Sequence, residues 1–238
     1  MIHKNSISVC LASYNGEKFI KEQIESILPQ LDKDDEIVVS DDHSTDMTIS
    51  ILKSFNDSRI KIFVNNLGKG VIKNFENAIL NASHDLVFLC DQDDIWRQDK
   101  VFIMLKQFED KDVTLVLSNA LYCDENGKSL NSQFFDKPVP EKSQIKHFIK
   151  PLFLGCAIAF KKNSVPKVFP IPENIPMHDW WIGALHMYYG KVKFINEDLI
   201  YYRRHDSNVT SRKKSKLSRI IRWRIIIFVE LLRRTLKN

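Results

Sequence analysis

Apolar and polar positions alternate in short, regular blocks through the first half of the chain. Ile7-Ser8-Val9-Cys10-Leu11 alternates and runs into Ala12-Ser13-Tyr14-Asn15-Gly16, which predicts a strand and a polar loop. Ile20, Ile24, Ile27, Leu28 and Leu31 recur at helical spacing, and Pro29 ends or kinks that helix. Glu36 to Ser40 reads as a second strand, and Met47 to Phe55 as a helix capped by Asp46. Ile60 to Val64 is a third strand; a glycine-bearing loop at 65–70 leads to the apolar helical face of Val71, Ile72, Phe75, Ala78 and Ile79. Leu86 to Cys90 is a continuous apolar run, the mark of a strand buried on both faces, and a helix follows from about Gln98 to Phe108. Strand and helix alternating in this way predict an α/β fold with a mostly parallel central sheet. Beyond Val113 the rhythm changes. Strands are expected at Leu115–Leu117, Gly155–Phe160 and Val192–Ile195, among proline-bearing loops that form an acceptor-side wall.

Composition adds little to this picture, and charge adds more. The chain has 238 residues, 44% hydrophobic and 27% charged, ordinary for a globular protein with a sizeable core. Cys10, Cys90, Cys123 and Cys156 form no C-x-x-C pair and read as buried thiols of a reducing compartment. The first ten residues lack the basic and apolar regions of a secretory leader, and no window is apolar enough to span a membrane, so a cytoplasmic location is expected. Residues 212–238 hold ten Lys or Arg and one Glu, whereas the preceding 211 residues are mildly acidic. Whatever the tail touches is therefore anionic.

Polar clusters stand at the ends of the apolar segments. They are Ser13-Tyr14-Asn15, then Asp41-Asp42 with Ser44 and Asp46, and then Asp91-Gln92-Asp93-Asp94. Met177-His178-Asp179-Trp180-Trp181, ahead of a helix expected from Ile182 to Tyr189, and Tyr201-Tyr202-Arg203-Arg204-His205 complete the set. Carboxylates crowded at the tip of a buried strand call for a cation, and Mg²⁺ commonly sits between such acids and a substrate's phosphates. Adjacent indoles exclude water and raise a neighbouring carboxylate's pKa; a capped helix with Trp in the core reads equally well from that stretch alone. Gly68-Lys69-Gly70 fits neither dinucleotide nor P-loop spacing, so phosphates must be held through a cation and basic side chains.

Taken in order, these clusters resemble family 2 glycosyltransferases of the GT-A fold, in particular bacterial rhamnosyltransferase-type members serving surface polysaccharide assembly. The resemblance runs from Ser8 to Val209, through Asp91-Gln92-Asp93-Asp94-Ile95-Trp96 and Tyr202-Arg203-Arg204-His205-Asp206-Ser207-Asn208-Val209. It implies an inverting transfer from a dTDP- or UDP-sugar to a saccharide or lipid-linked acceptor. Asp41 or Asp42, helped by Ser13, Tyr14 and Asn15, would bind base and ribose, with Lys73 and Arg204 as basic donor contacts. Asp91 and Asp93 match the D-x-D element, Asp93 being the direct ligand of Mn²⁺ or Mg²⁺ and His205 completing the shell. Asp179 holds the position of the catalytic base. The implied division is a catalytic domain at 1–211, with a nucleotide-binding half (1–112) and an acceptor half (113–211), then a basic helix at 212–238. Arg97-Gln98 departs from the Leu/Met-Pro often found after the metal motif.

On a helical wheel the tail sets Lys216, Arg219, Arg222, Glu230, Arg233, Arg234 and Lys237 against a wider arc of Leu217, Ile220, Ile221, Ile227, Phe228, Leu231 and Leu232. That pattern suits a helix lying in an anionic membrane interface, on the inner face of the cytoplasmic membrane, or a terminal helix packed on the body. Two other classes share some features. A Mg²⁺-dependent nucleotidyl transferase would use the same carboxylates. A nucleic-acid module would use the basic tail, but the acidic body lacks a basic stripe, so no nucleic acid is expected as a partner.

Overall fold

The computed structural model describes residues 5–135, 153–205, 208 and 217–236. The basic run at 212–216, Lys237, Pro138, Pro140, Pro151 and the Asp206, Ser207 and Val209 positions lie outside them.

The expected alternation is present. Strands β1 (Ile7–Ser13), β2 (Glu36–Asp41), β3 (Ile60–Val64) and β4 (Leu86–Asp91) are linked by helices α1 (Ile20–Ile27), α2 (Thr48–Ser54) and α3 (Val71–Asn81). The four strands pair in parallel in the order β3-β2-β1-β4. Helix α1 buries Ile20, Ile24 and Ile27, the i, i+4, i+7 face read from the sequence; a short 3₁₀ turn at Leu28–Gln30 then carries Pro29. The N-cap of α2 is Met47 rather than the expected Asp46; the Asp46 carboxylate, one residue earlier, accepts from the Thr48 N–H at 3.0 Å.

After a two-residue strand β5 (Ile95–Trp96) and helix α4 (Lys100–Gln107) the sheet becomes mixed. Strand β6 (Val113–Cys123) is far longer than its apolar centre predicted, and β7 (Ser129–Gln133) folds back on it. Strand β8 (Ile158–Lys161) lies between β4 and β6, antiparallel to both. Strand β9 (Lys191–Arg203) runs parallel to β6 and pairs with β5. Helix α5 (His178–Tyr189) packs below this half, and α6 (Leu217–Leu236) closes the described chain.

Two expectations are corrected. Gly155–Ala157 is a 3₁₀ turn, not the first half of a strand, because Gly155 sits against the His178 ring. Helix α5 begins at His178 rather than after the tryptophans, so Asp179 stands inside its first turn. All four cysteines are free and buried, as expected.

Strand register does the essential positioning. Ser13 lies opposite Asp41, and Ala12 opposite Asp91, so the carboxyl ends of β1, β2 and β4 form one edge. At that edge open α/β sheets bind their ligands.

Candidate active site

The loop after β1 is fixed from two sides. The Gln92 side chain accepts from the Tyr14 N–H at 2.9 Å and donates to the Tyr14 carbonyl at 3.0 Å. This needs glycine at position 16, where a Cβ would stand 2.3 Å from Gln92 Oε1. On the other side Asn15, at φ 47°, takes the Thr45 N–H on its Oδ1 at 2.8 Å. Asp41 is buried and accepts from the Ser13 hydroxyl, the Ser44 N–H and the Ser44 hydroxyl at 2.6 to 2.9 Å. Asp42 accepts from Asn65 and from the Gly70 N–H, tying the 65–70 loop to β2. Ser13, Asn15, Asp41 and Asp42 thus shape the rim, and Tyr14 stands exposed upon it.

The acids after β4 separate into two environments. Asp93 Oδ2 is 2.7 Å from His205 Nε2 and accepts from the Asn208 amide at 3.2 Å, so the ends of β4 and β9 meet here. Asp91 turns the other way: one ligand atom from each of Asp91, Asp94 and Cys156 lies within 4.8 Å of the others. Asp94 accepts from the Arg203 N–H at 3.0 Å; its second oxygen has no nitrogen or oxygen partner and faces the Cys156 thiol. Burial, then repulsion from Asp93, pushes Asp94 up to about 7. Burial and three neighbouring acids also lift Asp91 well above the usual carboxylate range. Oxygen-rich acids crowded at this cost, with an imidazole at their border, fit a hard divalent ion.

Two cations hold the cluster in place: Lys100, which no sequence pattern singled out, and Arg203 of the Tyr201–His205 run. Lys100 is fully buried, donates to the Cys156 carbonyl at 2.8 Å and lies 3.7 Å from the centre of the Trp96 ring. Burial brings its ammonium down to about 8. Arg203 is equally buried; it donates to the Asp93 carbonyl at 2.8 Å, to Glu22 at 2.6 Å and to the Glu125 carbonyl, and lies over Phe19. The predicted Arg204 instead stacks on Tyr122 and Tyr202. Lys73 pairs with buried Glu76 at 2.7 Å, and Glu76 also takes the Ile171 N–H. A helical i, i+3 pair of this kind was a findable signal for Lys73.

Asp179 completes the arrangement. Burial in the first turn of α5 pushes it up to about 7, against hydrogen bonds from the Trp180 and Gly155 N–H groups. Its charge acts on Asp91, so the two lie within electrostatic reach of each other. The link is the Gly155–Ala157 turn. Gly155 lies against Asp179 and His178, while the Cys156 thiol lies within 4.8 Å of a carboxylate oxygen of both Asp94 and Asp91. The two indoles divide: Trp181 is in the core and donates to the Val168 carbonyl at 2.8 Å, whereas half-buried Trp180 meets Trp223 of α6 edge-on.

Known proteins carry the same plan. The chain is 30% identical to the dTDP-rhamnosyl transferase RfbG of Shigella flexneri, over 83% of this chain and 72% of that protein. It is 27% identical to the UDP-Glc:alpha-D-GlcNAc-diphosphoundecaprenol beta-1,3-glucosyltransferase WfgD of Escherichia coli, over 92% of this chain and 85% of that one. In structure it superposes on S. aureus TarS 1-349, solved with UDP-GlcNAc, with a TM-score of 0.73 and 21% identity across 95% of this chain. The chain spans 66% of the length of that TarS chain and of one further relative. The superposition bears out the GT-A fold that the resemblance implied. The description "Glycosyl transferase family 2" matches residues 8–169, a stretch that holds the β1 loop, both aspartate clusters and the Gly155–Ala157 turn. The chain therefore belongs to glycosyl transferase family 2.

Proposed function

We propose that this chain moves a sugar from a nucleoside diphosphate donor to an acceptor hydroxyl, with inversion at the anomeric carbon. The observation that carries this reading is the pairing of Asp179 with the Asp91–Asp94 cluster across the Gly155–Ala157 turn. Nucleotide and diphosphate lie along the edge formed by β1, β2 and β4, within residues 1–112, and the acceptor lies against residues 113–211. Asp93 and His205, which meet at 2.7 Å, together with Asp91 from the neighbouring Asp94–Cys156 side, would hold Mn²⁺ or Mg²⁺, an ion that would supply neutralisation of charge on the leaving diphosphate.

Asp179 does the proton work. Near pH 7 about half of it is ionised, the condition in which a general base is most effective. The acceptor oxygen forms its bond to the anomeric carbon as its proton passes to the Asp179 carboxylate. The bond from that carbon to the diphosphate oxygen breaks, and nucleoside diphosphate leaves with the electron pair. Arg203 and Lys100 keep the acid cluster in register from below.

The names of RfbG, a dTDP-rhamnosyl transferase, and WfgD, a glucosyltransferase acting on a diphosphoundecaprenol-linked sugar, together with the resemblance noted in the sequence, support a bacterial surface polysaccharide role. The donor is a dTDP-rhamnose or a UDP-linked glucose, galactose or N-acetylhexosamine; the acceptor is a saccharide, carried on lipid where the enzyme sits peripherally at the cytoplasmic membrane. The test is a thermal-shift panel of dTDP- and UDP-sugars with and without Mn²⁺, followed by product analysis. A metal-dependent shift with release of free nucleoside diphosphate supports the reading. Release of pyrophosphate would instead make the chain a nucleotidyl transferase.

A further inference from the structure

Helix α6 has two apolar faces, and the body covers one of them. On the inner face Ile227 and Leu231 are buried and Trp223 packs edge-on against Trp180, with ring centres 6.0 Å apart. Arg234 donates to the Lys167 and Phe169 carbonyls at 3.1 Å and to the Pro170 carbonyl, and Glu230 accepts from Asn174 at 3.0 Å. Arg234 and Glu230, drawn on the charged side by the sequence wheel, are thus body contacts. On the outer face Ile221, Ile225, Phe228, Leu232 and Leu236 recur every three or four residues and are each 40 to 78% exposed. Exposed Arg222 and Arg233 run along one edge of that stripe.

We infer that the outer face of α6 docks on an anionic membrane interface. The occupant follows from charge. The cations along the stripe's edge repel a second copy of the same helix and attract an anionic surface, and the one acid of the tail is already held by Asn174 and Arg233. A 20-residue helix with an apolar stripe and arginines beside it lies along the headgroup boundary. Among the described residues no helix is long and apolar enough to cross a membrane. Trp223 ties this helix to Trp180, the neighbour of Asp179. Docking therefore brings the Asp179 end of the cleft to the bilayer, where a lipid-carried saccharide presents its hydroxyl. That last step rests on the transferase reading; the docking itself does not.

The test floats the full chain with phosphatidylcholine vesicles, and with vesicles containing phosphatidylcholine and phosphatidylglycerol in equal parts. The wild-type chain rises with the anionic vesicles, less so in high salt, and stays down with the neutral ones. The double variant Ile225→Glu/Phe228→Glu rises at least about tenfold less, with an unchanged melting temperature and donor-dependent thermal shift. The inference is overturned if the wild-type chain ignores anionic vesicles, or if the variant floats as well as wild type. It is also overturned if sedimentation shows a dimer that the variant abolishes, since a second copy then covers the stripe. Flotation with no donor-dependent shift sinks the transferase reading alone; a donor shift without flotation sinks this inference alone.

Discussion

Asp179 and Asp93 carry different burdens, and substitutions separate them. Asp179→Asn is expected to keep donor and Mn²⁺ binding, read by thermal shift, while transfer falls by about 10²–10⁴, the usual contribution of a positioned base. Asp93→Ala is expected to lose the Mn²⁺-dependent shift and transfer together, and chelation of the metal should reproduce that loss in the wild-type chain. Because burial lifts Asp179 to about 7, kcat/KM should rise with pH through that value and flatten above it. An acidic limb centred near pH 4 would mean that another group takes the proton. The adjacency of Asp93 and His205 was legible through the family resemblance, which put both in one metal shell; each lies two residues past the end of its strand. The contacts of Lys100 and Cys156 were not legible, and Arg203 was so only as a member of the Tyr201–His205 run. Only the packing of α4, the Gly155–Ala157 turn and β9 around the end of β4 turns these residues toward the acids.

At the scale of elements, polar groups buried between elements matter more than any single helix or strand. Glu76 on α3 holds Lys73 and the Ile171 N–H, fastening the loop after β8 to that helix. Glu76→Ala leaves a buried N–H and an ammonium without their acceptor, which should lower stability by about 1–3 kcal/mol in urea unfolding. Regular elements were legible wherever hydrophobic period and turn residues agreed, as in β1 to β4 and α1 to α3. Strands β5 and β7 were missed because Ile95–Trp96 is two residues long and Ser129–Gln133 is mostly polar; tertiary pairing, not local pattern, makes them strands. The Gly155–Ala157 turn was hidden inside an apolar run for the same reason. Hydrophobicity reports burial and says little about backbone path.

Over the whole molecule, buried ionisable groups set a pH window of stability. Asp94 and Asp179, both raised to about 7, hold protons in the native state that the unfolded chain releases near pH 4. Their contribution is complete below about pH 4 and is lost as pH rises through 7. His178 and His186 are driven down to about 3 by burial, so their neutral forms favour folding above about pH 6.5, and that contribution is lost as pH falls toward 3. The metal-free chain should therefore melt highest between about pH 4 and 7. Asp94→Asn, which keeps an acceptor for the Arg203 N–H, should melt higher than wild type above pH 7 and show little difference near pH 4. Scanning calorimetry of both chains across that range checks the prediction.

Gly155 and Cys156 are neighbours in the chain, so one peptide unit serves as the spacer between the two ends of the proposed reaction. Rotating a side chain cannot widen that gap; only rebuilding the backbone can. On the proposed chemistry, accepting a bulkier hexose would call for insertions in this turn more than for point changes around the sugar, and a library of such insertions is where altered donor range should be sought.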